Sequence, residues 1–196
     1  MTKYILVGGY PRKAKDGGKS LAEEMIKGFN EPIKFLICYF ARPRLYWAAM
    51  MIEDRLFFGN HLKGKKIEFQ IAKLEKFTDQ IKSANIIYIR GGRTDKLIKL
   101  LNQCKGWKNE LDGKTLVGSS AGAISMATYS YNLDRLELEN GLGLLPIKVL
   151  VHYLSNYNAP NIDWTKAEKE LAEYKENLEM LKLPEGVFKV MTIKQT

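Results

Sequence analysis

The sequence predicts an α/β fold, a three-layer αβα sandwich in which a mainly parallel sheet is covered by helices on both faces. Short runs rich in β-branched and aromatic residues alternate with longer helical patterns along most of the chain. Such strand–helix alternation is typical of parallel sheets whose crossover connections are helices. The 196 residues contain no linker, repeat or low-complexity segment, so we expect residues 1–196 to form a single domain.

Most predicted elements lie in the first two thirds of the chain. Five strands are predicted there, namely Tyr4–Val7, Ile33–Phe40, Ile67–Ile71, Ile86–Ile89 and Thr115–Val117. Four helices are predicted between them, namely Lys19–Phe29, Leu45–Phe58, Thr78–Ser83 and Thr94–Cys104.

The regular alternation ends after the middle of the chain, and the remaining elements are more varied. We predict, in order, an edge strand or extended loop over Leu133–Glu139, a turn at Asn140-Gly141, a strand over Ile147–Val151, a helix from the capping-box residues Thr165 and Glu168 to about Lys182, and a final strand over Val187–Met191.

Composition excludes several classes of protein. The net charge of +9 is spread over several loops without a nucleic-acid motif, so we expect a solvated basic surface and no specific nucleic acid. No apolar run is long enough for a membrane span or a secretory signal, which predicts a cytoplasmic protein. Cys38 and Cys104 lack disulfide or metal spacing, so neither a disulfide framework nor a zinc site is expected. No metal or organic cofactor is implied by the sequence. The oligomeric state, monomer or homodimer, stays open.

A nucleophile elbow is predicted in the centre of the chain. The segment Gly118–Gly122 reads Gly-x-Ser-x-Gly, follows a strand-like run and precedes the helix-like run Ala123–Ala127. This tight turn exposes the hydroxyl of Ser120, and glycines are needed where a Cβ would collide with the neighbouring strand or helix. The alternative is a turn of small residues that only packs a helix on a sheet.

A serine hydroxyl needs a neighbouring base to act as a nucleophile. The chain has two histidines. His61 lies in a segment rich in glycine and lysine, where an exposed histidine is ordinary. His152 follows an apolar strand, at the end where parallel sheets place their ligands, and is therefore the predicted base.

Three acidic residues are candidates for the group that orients the histidine. Asp134, Glu137 and Glu139 lie between Ser120 and His152, which gives the order serine, acid, histidine found in α/β-hydrolases. Asp134 is the first candidate and Glu137 the second. Alternatively, all three acids are polar positions of a half-exposed strand.

Acyl transfer also requires donors for the oxyanion, which are usually backbone N–H groups. Ala121 supplies one, because it directly follows the serine. Gly91 and Gly92 follow the strand Ile86–Ile89 and lead into a helix, so they are well placed to supply a second. The same diglycine is also consistent with a simple strand-to-helix turn at Thr94.

Taken together, these segments resemble the serine peptidase family of dipeptidase E and cyanophycinase. The resemblance rests on the segments Ile86–Thr94, Leu116–Ala123, Leu144–Pro146 and His152-Tyr153. It implies the class I glutamine amidotransferase-like (flavodoxin-like) fold, with serine in place of the amidotransferase cysteine. It also implies Ser120 as nucleophile, His152 as base, and N–H groups of Gly91 or Gly92 and of Ala121 as the oxyanion hole.

The resemblance further implies a substrate class, since dipeptidase E members cleave short peptides that begin with aspartate and cyanophycinases cleave a β-linked aspartyl-arginine polymer. In this chain arginines flank the diglycine, at Arg90 and Arg93, where the family usually reads Gly-Gly-Gly-Asn-Thr. No arginine follows Arg135, whereas relatives of dipeptidase E often use one beyond the histidine to hold the substrate carboxylate. We hypothesise that Arg93 supplies that contact.

The leading hypothesis is therefore a serine peptidase for short peptides, including Asp-X dipeptides. The alternative is a non-catalytic binding or regulatory protein that keeps the amidotransferase-like fold with a degraded site. Three observations favour that alternative: the altered glycine loop, the missing arginine beyond the histidine, and the lack of a clear motif for the acid.

Overall fold

The structure is a computed structural model that describes residues 1–156 and 159–193. Within these ranges the strands are β1 Thr2–Val7, β2 Ile33–Cys38, β3 Ile67–Ile71, β4 Ile86–Ile89, β5 Thr115–Ser119, β6 Tyr129–Asn132, β7 Glu137–Asn140, β8 Ile147–Val151, β9 Glu179–Leu183 and β10 Phe188–Ile193. The α-helices are α1 Lys19–Ile26, α2 Trp47–His61, α3 Phe77–Ser83, α4 Thr94–Gln103, α5 Ala121–Met126 and α6 Trp164–Glu173.

The main sheet has the strand order β10-β1-β5-β4-β2-β3. Its first five strands in the chain are parallel, and β10 joins the edge antiparallel to β1. The inner strands β4 and β5 are buried at every residue, as expected for strands covered on both faces. The predicted five parallel strands and final strand are therefore confirmed, with small shifts at their ends.

Helices cover both faces of this sheet. Residues of α1 and α2, such as Leu21 and Phe58, pack on one face against Ile5 and Ile37. Residues of α3, α4 and α5 pack on the opposite face in a second apolar cluster that includes Leu97. The predicted three-layer α/β sandwich is confirmed.

A second sheet, with the order β7-β6-β8-β9, is absent from the sequence-based prediction. One face of it joins the apolar cluster beneath α5, and the other face packs on α6. The strand that ends at His152 belongs to this sheet, where it runs parallel to β6 and β9. The region Leu133–Glu139 is divided, because a turn precedes β7, which begins at Glu137.

The prediction of a helix as far as Lys182 is wrong. The helix α6 ends at Glu173, and residues 179–183 form β9, which pairs in parallel with β8 and buries Leu181 and Leu183. Burial of these two side chains against β8 overrides the charged helical pattern of the sequence. The helix also begins earlier than the capping box predicts, because the carboxylate of Asp163 accepts the N–H of Lys166.

His61 is the last residue of α2, where its ring packs edge-on against Phe57 at 4.9 Å between centroids, rather than in a loop. Among the described helices, none combines the length and apolar character needed to cross a bilayer.

Candidate active site

Ser120 occupies a sharp turn between β5 and α5. Its backbone has φ 53° and ψ −114°, a conformation that residues other than glycine rarely adopt and that typically costs ~1–3 kcal/mol. The turn is held by the Ser120 N–H, which donates to the Val7 carbonyl at 2.9 Å. A Cβ on Gly118 would lie 2.4 Å from the carbonyl of Gly122, so only glycine permits this close approach. The local geometry is that of a nucleophile elbow.

His152 meets this serine from the end of β8. Its Nε2 lies 2.9 Å from Oγ of Ser120, within hydrogen-bond distance. The residue is fixed by its own N–H, which donates to the Gly8 carbonyl at 2.8 Å. Its ring packs on Gly9, where a Cβ would lie 2.2 Å from the imidazole Cε1. The structure thus brings together the serine and the histidine that the sequence singled out.

The carboxylate at the other ring nitrogen belongs to Glu185, in the turn between β9 and β10. Its Oε1 lies 3.2 Å from Nδ1 of His152 and accepts a hydrogen bond from Oγ of Ser155 at 2.8 Å. Its Oε2 accepts a hydrogen bond from Nζ of Lys13. The Gly186 N–H donates to the Gly9 carbonyl at 2.8 Å, which ties this turn to the segment beneath the histidine.

The contact expected from Asp134 or Glu137 is therefore made by Glu185 instead. Within the described residues, neither Asp134 nor Glu137 forms a hydrogen bond with His152. Glu137 pairs with Arg135 at 2.7 Å. Both acids belong to the β6–β7 hairpin, whereas Nδ1 of the histidine faces the loop after β9.

Glu185 was missed because its position depends on β9. A helical interpretation of the residues up to Lys182 hides the strand that ends just before Pro184-Glu185-Gly186. The signal available in the sequence was that turn itself, with a carboxylate between two short apolar runs. A strand assignment for residues 179–183 would have placed Glu185 at a strand end, beside His152.

The predicted oxyanion donors lie next to the serine. A Cβ on Gly91 would be 3.0 Å from Cβ of Ser120, so the glycine loop is in contact with the elbow. Ala121 begins α5, and its N–H precedes the first intrahelical donor. In the part of the chain that the structure describes, the N–H groups of Gly92 and Ala121 have no hydrogen-bond acceptor.

A cavity of about 680 Å³ opens over Ser120 and His152. Its wall is rich in charges of both signs, contributed by Arg12, Arg42, Arg90, Arg93 and Arg135 and by Glu53, Asp54, Asp95, Asp134 and Glu139. The volume is within the range of small-molecule and peptide sites.

Arg93 lies at this cavity but already has a partner. Its guanidinium donates to both carboxylate oxygens of Asp95, at 3.2 Å from Nε and 2.5 Å from Nη2. These hydrogen bonds lower the pKa of Asp95 to about 2, so the pair is fully charged at neutral pH. Arg90, by contrast, is held beneath the cavity by the buried Asp54, at 2.7 Å.

A comparison with models of protein families identifies the family of this chain. A model of peptidase family S51 matches residues 48–193. The chain belongs to this family. It is a serine peptidase, which confirms the resemblance to the family of dipeptidase E and cyanophycinase and the predicted enzymatic class.

Solved structures show the same fold as this S51 peptidase. A peptidase from an acI-B1 Actinobacterium is 23% identical in sequence to this chain and superposes on it with a TM-score of 0.67. The alignment covers 97% of this chain and 83% of the actinobacterial chain. A protein named for peptidase E, from Listeria monocytogenes EGD-e, is 15% identical over the whole of both chains, with a TM-score of 0.64. A comparison with curated proteins finds no match.

The electrostatics of the S51 site suit a neutral histidine. Burial lowers the pKa of His152, and the hydrogen bond and charge of Glu185 oppose that shift without cancelling it. The imidazole is therefore uncharged at pH 7, and one ring nitrogen is able to accept a proton. Among the described residues, no three or more His, Cys, Asp or Glu side chains are grouped as metal ligands.

Proposed function

We propose that this S51 peptidase hydrolyses short peptides through Ser120, His152 and Glu185. The observation that carries the proposal is the continuous hydrogen-bonded chain from Oγ of the serine through the imidazole to Oε1 of the glutamate, with lengths of 2.9 and 3.2 Å. A nucleophile, a base and an orienting acid that are joined in this order by hydrogen bonds form the arrangement used in serine acyl transfer.

The first half of the reaction forms an acyl-enzyme. Oγ of Ser120 attacks the scissile carbonyl carbon while its proton passes to Nε2 of His152. The carbonyl oxygen becomes an oxyanion, which the N–H groups of Ala121 and of the Gly91–Gly92 turn stabilise. The imidazolium then gives its proton to the leaving amine, and the C–N bond breaks.

The second half releases the acid product. Water enters, His152 removes one proton from it, and the resulting hydroxide attacks the acyl carbon. The C–O bond to Ser120 breaks, and the serine recovers its proton from the imidazolium. Throughout, Glu185 accepts the Nδ1 proton in a hydrogen bond and keeps Nε2 directed at the serine.

The charges on the cavity wall are complementary to the two charged termini of a short peptide. Charges of both signs line its wall, and a small peptide presents an ammonium and a carboxylate close together. We propose that Asp-X dipeptides are among the substrates and that Arg93 contacts a substrate carboxylate with the N–H groups that Asp95 leaves unused. In this proposal Arg93 keeps its pair with Asp95 and adds an end-on contact.

A fluorophosphonate probe tests the nucleophile. Wild type should be labelled, while Ser120→Ala and His152→Ala should each abolish labelling. Ser119→Ala, which removes the adjacent hydroxyl in β5, should leave labelling intact and serves as the matched control. A folded wild type that resists the probe would contradict the proposal.

A panel of dipeptides that vary in the first residue tests the substrate. We expect cleavage of Asp-X to exceed cleavage of Asn-X, because Asn keeps the shape and loses the charge. Equal rates for the two would remove the proposed carboxylate contact while leaving the peptidase chemistry intact.

A further inference from the structure

The segment that follows β2 is fastened to the diglycine turn that follows β4. The Arg93 N–H donates to the Ala41 carbonyl at 3.0 Å, and Nε of Arg42 donates to the Gly91 carbonyl at 2.6 Å. A Cβ on Gly92 would lie 2.5 Å from the Ala41 oxygen, so the two segments are in direct contact. Strands β2 and β4 are neighbours in the sheet, and the helices that follow them lie on opposite faces. α/β sheets bind ligands at the carboxyl ends of two such strands.

Arg42 is itself held from several sides. Its N–H donates to the Tyr39 carbonyl at 2.8 Å, and its own carbonyl accepts from Nε1 of Trp47 at 3.2 Å and from Nζ of Lys96 at 3.0 Å. The main chain is thus anchored to α2 and α4. Within the described residues its guanidinium has no carboxylate partner, although it is exposed at the cavity.

The hydrogen bond to Gly91 has a consequence for the next peptide group. In a trans peptide the carbonyl of residue 91 and the N–H of residue 92 point in opposite directions. Glycine on both sides removes the steric barrier that normally favours one orientation of that plane. Without a fixed acceptor or donor the Gly91–Gly92 peptide is free to rotate, and the rotated form presents a carbonyl oxygen where a donor is needed.

We propose that Arg42 is a positioning residue of the oxyanion hole, whose Nε–H holds the Gly91 carbonyl so that the Gly92 N–H faces the oxyanion formed at Ser120. The inference rests on the proposed serine mechanism. It assigns a function to a side chain that, among the described residues, forms no hydrogen bond with Ser120 or His152. A charge-assisted hydrogen bond of this length is strong enough to select one orientation of a glycine peptide.

Three substitutions separate the possible roles of this arginine. Arg42→Gln places an N–H donor at the same number of bonds from Cα as Nε, without the charge. Arg42→Met keeps the length but donates nothing, and Arg42→Glu places an acceptor against the Gly91 carbonyl. Arg44→Met, which alters an exposed arginine two residues further on, is the matched control.

The rate of labelling by a fluorophosphonate is the first readout, since phosphonylation also develops charge on an oxygen beside the serine. Removal of an oxyanion donor typically lowers kcat ~10²–10³-fold. A peptide that rotates still presents its N–H to the oxyanion for part of the time, so the loss should be smaller. We therefore expect Arg42→Met to react at least roughly tenfold more slowly than wild type. Arg42→Gln should retain most of the wild-type labelling rate, and Arg42→Glu should be labelled no faster than Arg42→Met. Arg44→Met should be labelled at the wild-type rate.

A second readout does not depend on activity. In protein labelled with ¹⁵N-glycine, the Gly92 amide resonance should move in Arg42→Met and return towards its wild-type position in Arg42→Gln. With a cleaved dipeptide, the Met variant should lower kcat and leave KM nearly unchanged, because substrate binding does not use this hydrogen bond.

Several results would overturn the inference. Labelling of Arg42→Met at the wild-type rate, or an unmoved Gly92 resonance, would remove the positioning role. A Gln variant as slow as Met, with KM raised in both, would mean that the charge of Arg42 binds substrate instead. A wild type that the probe does not label would refute the serine mechanism itself, whereas a labelled wild type with an unaffected Met variant refutes only the role of Arg42.

Discussion

Replacement of Glu185 by glutamine should impair catalysis, and three of the contacts that its carboxylate makes give the physical reason. Oε1 accepts from Ser155 at 2.8 Å and lies 3.2 Å from Nδ1 of His152, while Oε2 accepts from the ammonium of Lys13. A lysine ammonium is a donor only, whereas a serine hydroxyl is able to rotate and accept. The NH₂ group of the introduced glutamine is therefore driven away from the lysine and towards the histidine.

That orientation forces the wrong tautomer. Nδ1 must accept the amide proton, so the imidazole carries its own proton on Nε2 and is unable to accept one from Ser120. In serine proteases a substitution that imposes this tautomer lowers kcat by about 10⁴-fold, which corresponds to about 5 kcal/mol of transition-state stabilisation. We expect a loss of similar size for Glu185→Gln.

The lysine supplies an internal check. In the double variant Lys13→Met, Glu185→Gln the amide oxygen is free to face Nδ1, so part of the lost activity should return. Asp134→Asn is the matched control, because Asp134 also lies at the cavity and its charge acts on His152 without a hydrogen bond among the described residues. The assay is kcat on a cleaved dipeptide, or the labelling rate with a fluorophosphonate. A Glu185→Gln enzyme with wild-type kcat, or a double variant no faster than the single one, would refute the assignment.

The same geometry leads to three more expected outcomes. Because burial lowers the pKa of His152, the acid limb of kcat/KM should lie below the pH of about 6.5 at which free imidazole titrates; a pH–rate profile with its acid limb above pH 7 would contradict this. Gly118→Ala should lower stability by about 1–3 kcal/mol and slow probe labelling, because its Cβ would lie 2.4 Å from the Gly122 carbonyl; thermal unfolding that matches wild type would argue against the tight elbow. Arg93→Met should raise KM for Asp-X dipeptides more than for neutral ones, and an equal rise for both would exclude a carboxylate contact.

The parts of the site that sequence predicted are those encoded locally. Ser120 stands in a pattern that combines a strand, a Gly-x-Ser-x-Gly turn and a helix, each visible in adjacent residues. His152 was found because only two histidines are present and one follows an apolar strand. Gly91 and Gly92 were found as a turn between a strand and a helix.

The parts that sequence did not predict depend on pairing between distant segments. Glu185 reaches the histidine only because β9 pairs with β8, and the charged pattern before it is equally compatible with a helix. Arg42 lies 49 residues before its partner Gly91, and nothing in its neighbourhood indicates that contact. Both side chains act on groups that neighbouring strands bring together, which is information that local periodicity does not contain.

Mapping of the modified residue after fluorophosphonate treatment tests the serine mechanism most directly. Digestion of labelled wild-type protein and mass spectrometry should locate a single adduct on Ser120, within the peptide that also contains Ser119 and Ser125 as internal comparisons. The adduct should be lost in His152→Ala. An adduct on another residue, or none on a folded protein, would contradict the assignment of Ser120 as the nucleophile.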